Sequence, residues 1–205
     1  MIRLYPSVER YLDRPGAAEW PTLPFDAPAH VRLHADMSEL AIGSVMATFA
    51  RYNTAADAHG SIADHELLTL ALERERLLLP GGVVATDDAS GIEVAPGCCA
   101  GLEQWHEWTD FLVDGQSPWL GHDPSPFLES VGGNVDICCE QGEPTVSVRL
   151  TLSLADFTQE LAAVESHLRA FSPQARKWAD EMIPSHAARL IARWESAFGP
   201  ASGRR

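Results

Sequence analysis

The side chains of this chain best suited to chemistry are two adjacent cysteines, Cys98 and Cys99, and a downstream His122-Asp123 pair. The cysteines lie in Pro96-Gly97-Cys98-Cys99-Ala100-Gly101, and the pair lies in Trp119-Leu120-Gly121-His122-Asp123-Pro124. A thiolate is a nucleophile and a soft metal ligand, and a helix N-terminus favours it because the macrodipole is positive there. Helical periodicity starting at Leu102 puts Cys98 and Cys99 just ahead of such an end. One catalytic set then follows: Cys98 or Cys99 as nucleophile, His106 or His122 as base, and Asp123 or Glu103 as orienting carboxylate. Glu103 also stands close enough in sequence to oppose thiolate formation. A second chemistry uses the same groups, since imidazole and thiolate together suit zinc. Against it, zinc ligands usually stand two to four residues apart, and adjacent residues on a strand point to opposite faces. No resident metal is assigned on that ground. The plainer alternative is a strand-to-helix corner shaped by Gly97 and Gly101, with Asp123 capping its own turn before Pro124.

The surrounding stretch, Leu79 to Pro126, concentrates Gly, Pro and aromatic residues, the texture of loops that carry function on a rigid scaffold. Trp105 and Trp108 share a helical stripe and belong in the core, whereas Trp119, in a Ser-Pro-Trp loop, is the better surface anchor for a partner. Asp87, Asp88 and Glu103 are further candidates for binding a cationic group, although Asp87-Asp88 also reads as a solvated hairpin tip. Cys138 and Cys139 alternate along a strand and read as small core residues. No phosphate-binding loop, dinucleotide fingerprint, HExxH, nucleophile elbow or EF-hand spacing occurs, and no cofactor is expected.

The elements that must position these groups follow from periodicity. Val83–Thr86 and Ile92–Val94 flank the turn chemistry of Asp87-Asp88-Ala89-Ser90-Gly91, which predicts a hairpin. Leu102, Trp105, Trp108, Thr109 and Leu112 fall on one helical face. Val135, Ile137 and Cys139 alternate with Asp136, Cys138 and Glu140. Val146, Val148, Leu150 and Leu152 do the same across a Gln141–Pro144 turn, so an antiparallel pair with one wet face is predicted. Helices are predicted from Leu40 to Tyr52, from Ser61 or Asp64 to Leu78, and from a Ser153/Asp156 capping box to Phe171. Ser172-Pro173 is read as a break before a helix carrying Trp178, and Ser185 as the cap of a last helix. The expected fold is α+β: a small, mainly antiparallel sheet of about four strands (83–86, 92–95, 134–140 and 145–152) packed with N-terminal and C-terminal helices. Residues 1–35 read as a proline-rich arm laid on a single domain of residues 36–200, and 201–205 as a frayed tail.

At 205 residues, 45% hydrophobic and 21% charged, the chain suits one folded domain rather than a disordered segment. No apolar run is long enough to span a bilayer, and the N-terminus shows no apolar signal core, so a cytoplasmic location and no membrane contact are expected. The formal charge of −14 repels nucleic-acid phosphate and attracts basic proteins.

The segments LPGG, PGCCAGLEQWHEW and PWLGHDPSP together resemble a block shared by actinobacterial proteins to which no activity is attached, covering about a fifth of the chain. In size, acidity and α+β composition the chain is also similar to small bacterial immunity proteins of the SUKH type; no residue is carried over from them. The leading expectation is an acidic, immunity-like protein that binds a basic protein partner and no nucleic acid. The alternative is a small thiol- or metal-dependent enzyme using a Cys98/Cys99–His site.

Overall fold

The computed structural model describes residues 1–10, 19–54, 63–141 and 146–200. Their order is β1 (Ile2–Glu9), β2 (His30–Arg32), α1 (Glu39–Tyr52), α2 (Asp64–Leu72), β3 (Gly81–Asp87), β4 (Ile92–Val94), a 3-10 turn (Leu102–Gln104), α3 (Glu107–Asp114), β5 (Phe127–Val131), β6 (Asn134–Gln141), β7 (Val146–Ser153), α4 (Leu154–Met182) and α5 (Ala187–Phe198). The fold is α+β; among the described residues it has five helices, a four-stranded sheet in the order β2-β1-β3-β4 and a three-stranded sheet in the order β5-β6-β7. Its residues group into two compact units, Met1–Ser7 with Gly81–Ser166, and Val8–Pro80 with His167–Arg205. Both β1 and α4 run from one unit into the other. Among the described residues, no helix is long and apolar enough to cross a membrane.

The first unit holds the candidate site. Its β3–β4 hairpin pairs Ala85 with Val94 and Asp87 with Ile92, as the turn chemistry predicts. Strands β6 and β7 pair in register from Asn134–Ser153 to Gln141–Val146, and β5 adds an antiparallel edge. The Gln141–Pro144 turn expected between them falls largely outside the described residues, as do Ser61 and the tail 201–205. The predicted wet face is drier than the alternation implies. Asp136 is buried because Arg149 spans it at 2.5 Å and the Thr151 hydroxyl donates to it at 2.7 Å; long polar chains cover their own partners. Helix α4 starts on the expected capping box, the Asp156 N–H donating to the Ser153 hydroxyl at 3.1 Å. Phe157 then packs on Trp108 and Phe111, with ring centroids 6.2 and 6.0 Å away. Near β1, Glu160 of α4 accepts from the Leu4 N–H at 3.0 Å and from Arg3 at 3.2 Å.

The second unit is built around Trp194, whose ring lies 4.9 Å from Phe171 and 4.8 Å from Phe198. Helix α1 starts at the Ser38 hydroxyl, which accepts the Ala41 N–H at 3.2 Å. Its Gly43 is required by close approach, because a Cβ there would lie 2.1 Å from the Pro21 carbonyl oxygen. Within the proline-rich stretch, the Arg10 guanidinium gathers the carbonyls of Leu23, Pro24, Ala27 and Pro28, which fixes a segment that proline leaves short of donors. A buried Arg51–Asp64 pair links α1 to α2 at 3.1 Å.

Three readings of the sequence change. Strands β1, β2 and β5 had no prediction: Pro6 interrupts the β1 pattern, and β2 and β5 are short. Helix α2 ends at Leu72 rather than Leu78. Pro173 does not end a helix; α4 runs through it to Met182. Proline removes one backbone donor, but Phe171, Ala175, Trp178 and Ala179 are all buried around it, and that burial outweighs the lost bond.

Candidate functional site

Two loops of the first unit meet through one antiparallel bridge. The Cys98 N–H donates to the His122 carbonyl at 2.7 Å, the His122 N–H donates to the Cys98 carbonyl at 3.1 Å, and the Gly97 N–H donates to the Leu120 carbonyl at 2.7 Å. Glycine permits this approach. A Cβ on Gly97 would stand 1.9 Å from the Pro124 carbonyl oxygen, and one on Gly121, at φ +87°, would stand 2.4 Å from the Gly97 oxygen. On the far side, the Gly101 N–H donates to the Gln104 side chain at 3.2 Å, and Gln104 donates to Glu107 at 3.4 Å. Glu107 in turn accepts the Trp119 N–H at 3.1 Å, so one carboxylate ties α3 to the loop carrying His122.

The ladder brings three chemical groups together. Cys98 Sγ lies 2.7 Å from His122 Nδ1, and the ligand atoms of Cys98, Cys99 and His122 all lie within 4.8 Å of one another. Among the described residues this is the one such group of three. Its members are exposed. The reason adjacent cysteines converge is local: they are not on a strand, and Cys99 adopts the left-handed region at φ +67°. That conformation is rare for a residue with a Cβ and costs roughly 1–2 kcal/mol. It reverses the chain between the two sulfurs, which removes the opposite-faces objection to a shared ligand.

The geometry fits one thiophilic ion. Zinc bonds of about 2.3 Å to sulfur and about 2.05 Å to nitrogen, set at a tetrahedral angle, separate S and N by about 3.6 Å. The exposed His122 ring has to open its contact from 2.7 Å to reach that spacing, well within the 4.8 Å spread of the group. The set supplies two sulfurs and one nitrogen, the soft and borderline donors that zinc takes.

A thiol nucleophile fits less well. The helix expected to begin at Leu102 is a three-residue 3-10 turn, and α3 starts only at Glu107, so the macrodipole argument for a thiolate lapses. Although Cys98 is exposed as a residue, partial desolvation of its sulfur pushes the thiol above its ordinary range. The hydrogen bond and charge of Cys99 and the nearby Asp123 add to this, against a lowering by the His122 backbone N–H.

The other sequence candidates fall elsewhere. His106 packs against Trp105, the rings tilted by 36° with centroids 4.0 Å apart, and is no member of the ligand group. Asp123, at φ +55°, acts on Cys98 by charge alone. The Glu103 carboxylate folds over Gly101, where a Cβ would meet it at 2.2 Å. Asp87 binds Ser90 at 2.7 Å and the Met1 amino group at 3.1 Å, which hold its carboxyl well below the usual range, and Asp88 lies 3.9 Å from Arg3. Both belong to the hairpin turn. Trp119 is 51% exposed, its ring 6.0 Å from that of His122. With Pro96, Gly101, Trp105 and Trp108 it lines a crevice of only about 10 Å³, room for no more than one water. Sequence reasoning missed Gly121 and Glu107. The first was legible as the glycine of a Gly-His-Asp-Pro turn; the second reads as an ordinary solvent-facing helix residue.

Comparison with protein-family models, with curated proteins and with solved structures finds no match to this chain.

Proposed function

We propose that the chain binds a zinc-class ion through the Cys98 and Cys99 thiolates and His122 Nδ1, with one coordination position open to solvent. The observation that carries this is the convergence of two sulfurs and an imidazole nitrogen within 4.8 Å on the surface. Three protein ligands leave a tetrahedral ion one position short, and that open position distinguishes catalytic zinc from closed structural sites. A bound ion there supplies Lewis acidity and an acidified water; this chain supplies the ligands, the rigid glycine-built ladder behind them and the Trp119 ring beside them. The reading belongs to the metal-dependent class of small enzymes.

Cobalt(II) titration of the reduced full chain tests it. We expect a thiolate-to-cobalt charge-transfer band and strong four-coordinate visible bands saturating at one ion per chain. Cys98→Ser and His122→Ala lose the band, and Cys138→Ser keeps it. A weak, six-coordinate spectrum, or one unchanged by Cys98→Ser, rules the site out.

A second reading is carried by the exposure of Trp119 and the charge of −14: an acidic, immunity-like surface that holds a basic protein. Electrostatic steering would make such binding weaken as salt rises. Partner binding that survives His122→Ala and fails in Trp119→Ala favours it over the metal site.

A further inference from the structure

We infer that Cys98 and Cys99 form a reversible oxidation site, closing a disulfide between neighbours when a peroxide arrives and opening again to a thiol reductant. Where the proposed metal reading holds, this makes ion binding a property of the reduced chain. The two sulfurs are exposed and lie within 4.8 Å of one another across the turn at Cys99. Either one therefore has a resolving partner already in place, the arrangement in which a sulfenic acid passes to a disulfide before further oxidation. The second pair lacks both properties. Cys138 and Cys139 are buried, and on strand β6 their side chains alternate.

The chemistry closes without a further reactant. The Cys99 sulfur attacks the peroxide as thiolate, since the Cys98 thiol is held above its ordinary range; the O–O bond breaks, and the Cys99 sulfur becomes a sulfenic acid. The second thiolate displaces its oxygen, forming the S–S bond; in total two thiolates, one hydrogen peroxide and two protons give one disulfide and two waters. A bound ion loses two of its three protein ligands and leaves. Reversibility follows from geometry. Consecutive Cα atoms across a trans peptide stand about 3.8 Å apart, short of the roughly 4.4–6.8 Å that disulfides prefer. The ring is therefore strained, and strained disulfides have the higher potentials that mild thiols reduce.

The test uses the full reduced chain. Zinc binding is measured first, then one equivalent of hydrogen peroxide is added, and cleavage after glutamate frees Val94–Glu103, which carries Cys98 and Cys99 alone. The expected result is loss of two hydrogens in that peptide, one zinc released per chain, and return of both on adding dithiothreitol. Cys98→Ser under the same treatment gives oxygen adducts on Cys99 and no such loss. A wild-type peptide that only gains oxygen, stays a dithiol, or links to a second chain overturns the inference. Zinc bound by a chain that forms no ring leaves the metal reading standing alone. Ring formation in a chain that never bound zinc supports the oxidation site and sinks the metal reading.

Discussion

Cys99 carries the sharpest test of why this corner has its shape. A non-glycine residue at φ +67° holds strain of roughly 1–2 kcal/mol, and such strain tends to persist where a function needs the side chain. Cys99→Gly relieves it, offset by the roughly 0.5–1 kcal/mol that glycine costs through the unfolded state. The expected outcome is a chain from neutral to about 1 kcal/mol more stable in denaturant that nonetheless binds cobalt or zinc far more weakly. A large destabilisation would mean that Cys99 is there to pack. The residue types of the site were legible in the sequence, because thiols and imidazole among glycines and prolines are few and distinctive. Their meeting was not. The objection that adjacent cysteines diverge assumes strand backbone, and the left-handed turn at Cys99 leaves no pattern in residue type.

At the scale of elements, legibility tracked how local the cause is. The Ser153 cap and the Asp87–Gly91 turn act within a few residues, and the structure has both, whereas the cap position of α5 falls on His186 and not on Ser185 as expected. The helix through the tryptophans shows the limit. A 3-10 turn at Leu102–Gln104 advances about 120° per residue instead of about 100°. The phase slips, so Phe111 is buried while Thr109 is exposed, although Trp105 and Trp108 stay inside. Strand β1 escaped notice because Pro6 interrupts its alternation. Proline was over-read at α4, where burial on both sides of position 173 holds the helix together. Restoring the missing donor with Pro173→Ala should raise stability by about 1–3 kcal/mol, measured by urea denaturation. A loss of stability would show that the ring packs against something alanine cannot replace.

Over the whole molecule, a formal charge of −14 draws any divalent cation to the surface, and diffuse binding to carboxylates must be separated from binding at the sulfurs. Salt makes the separation. At physiological ionic strength, screening over about 8 Å removes most of the diffuse attraction, while coordination bonds to thiolate and imidazole remain. The α+β class was readable from the mix of periodicities. The division into two units and into two sheets was not, since β1 and β3, neighbours in one sheet, lie far apart in sequence. The most direct measurement is the zinc content of reduced, gel-filtered full chain at physiological salt, taken by elemental analysis beside Cys98→Ser and His122→Ala. The account predicts one zinc per wild-type chain and none in either variant; zinc absent from all three, or present in equal amounts in all three, contradicts it.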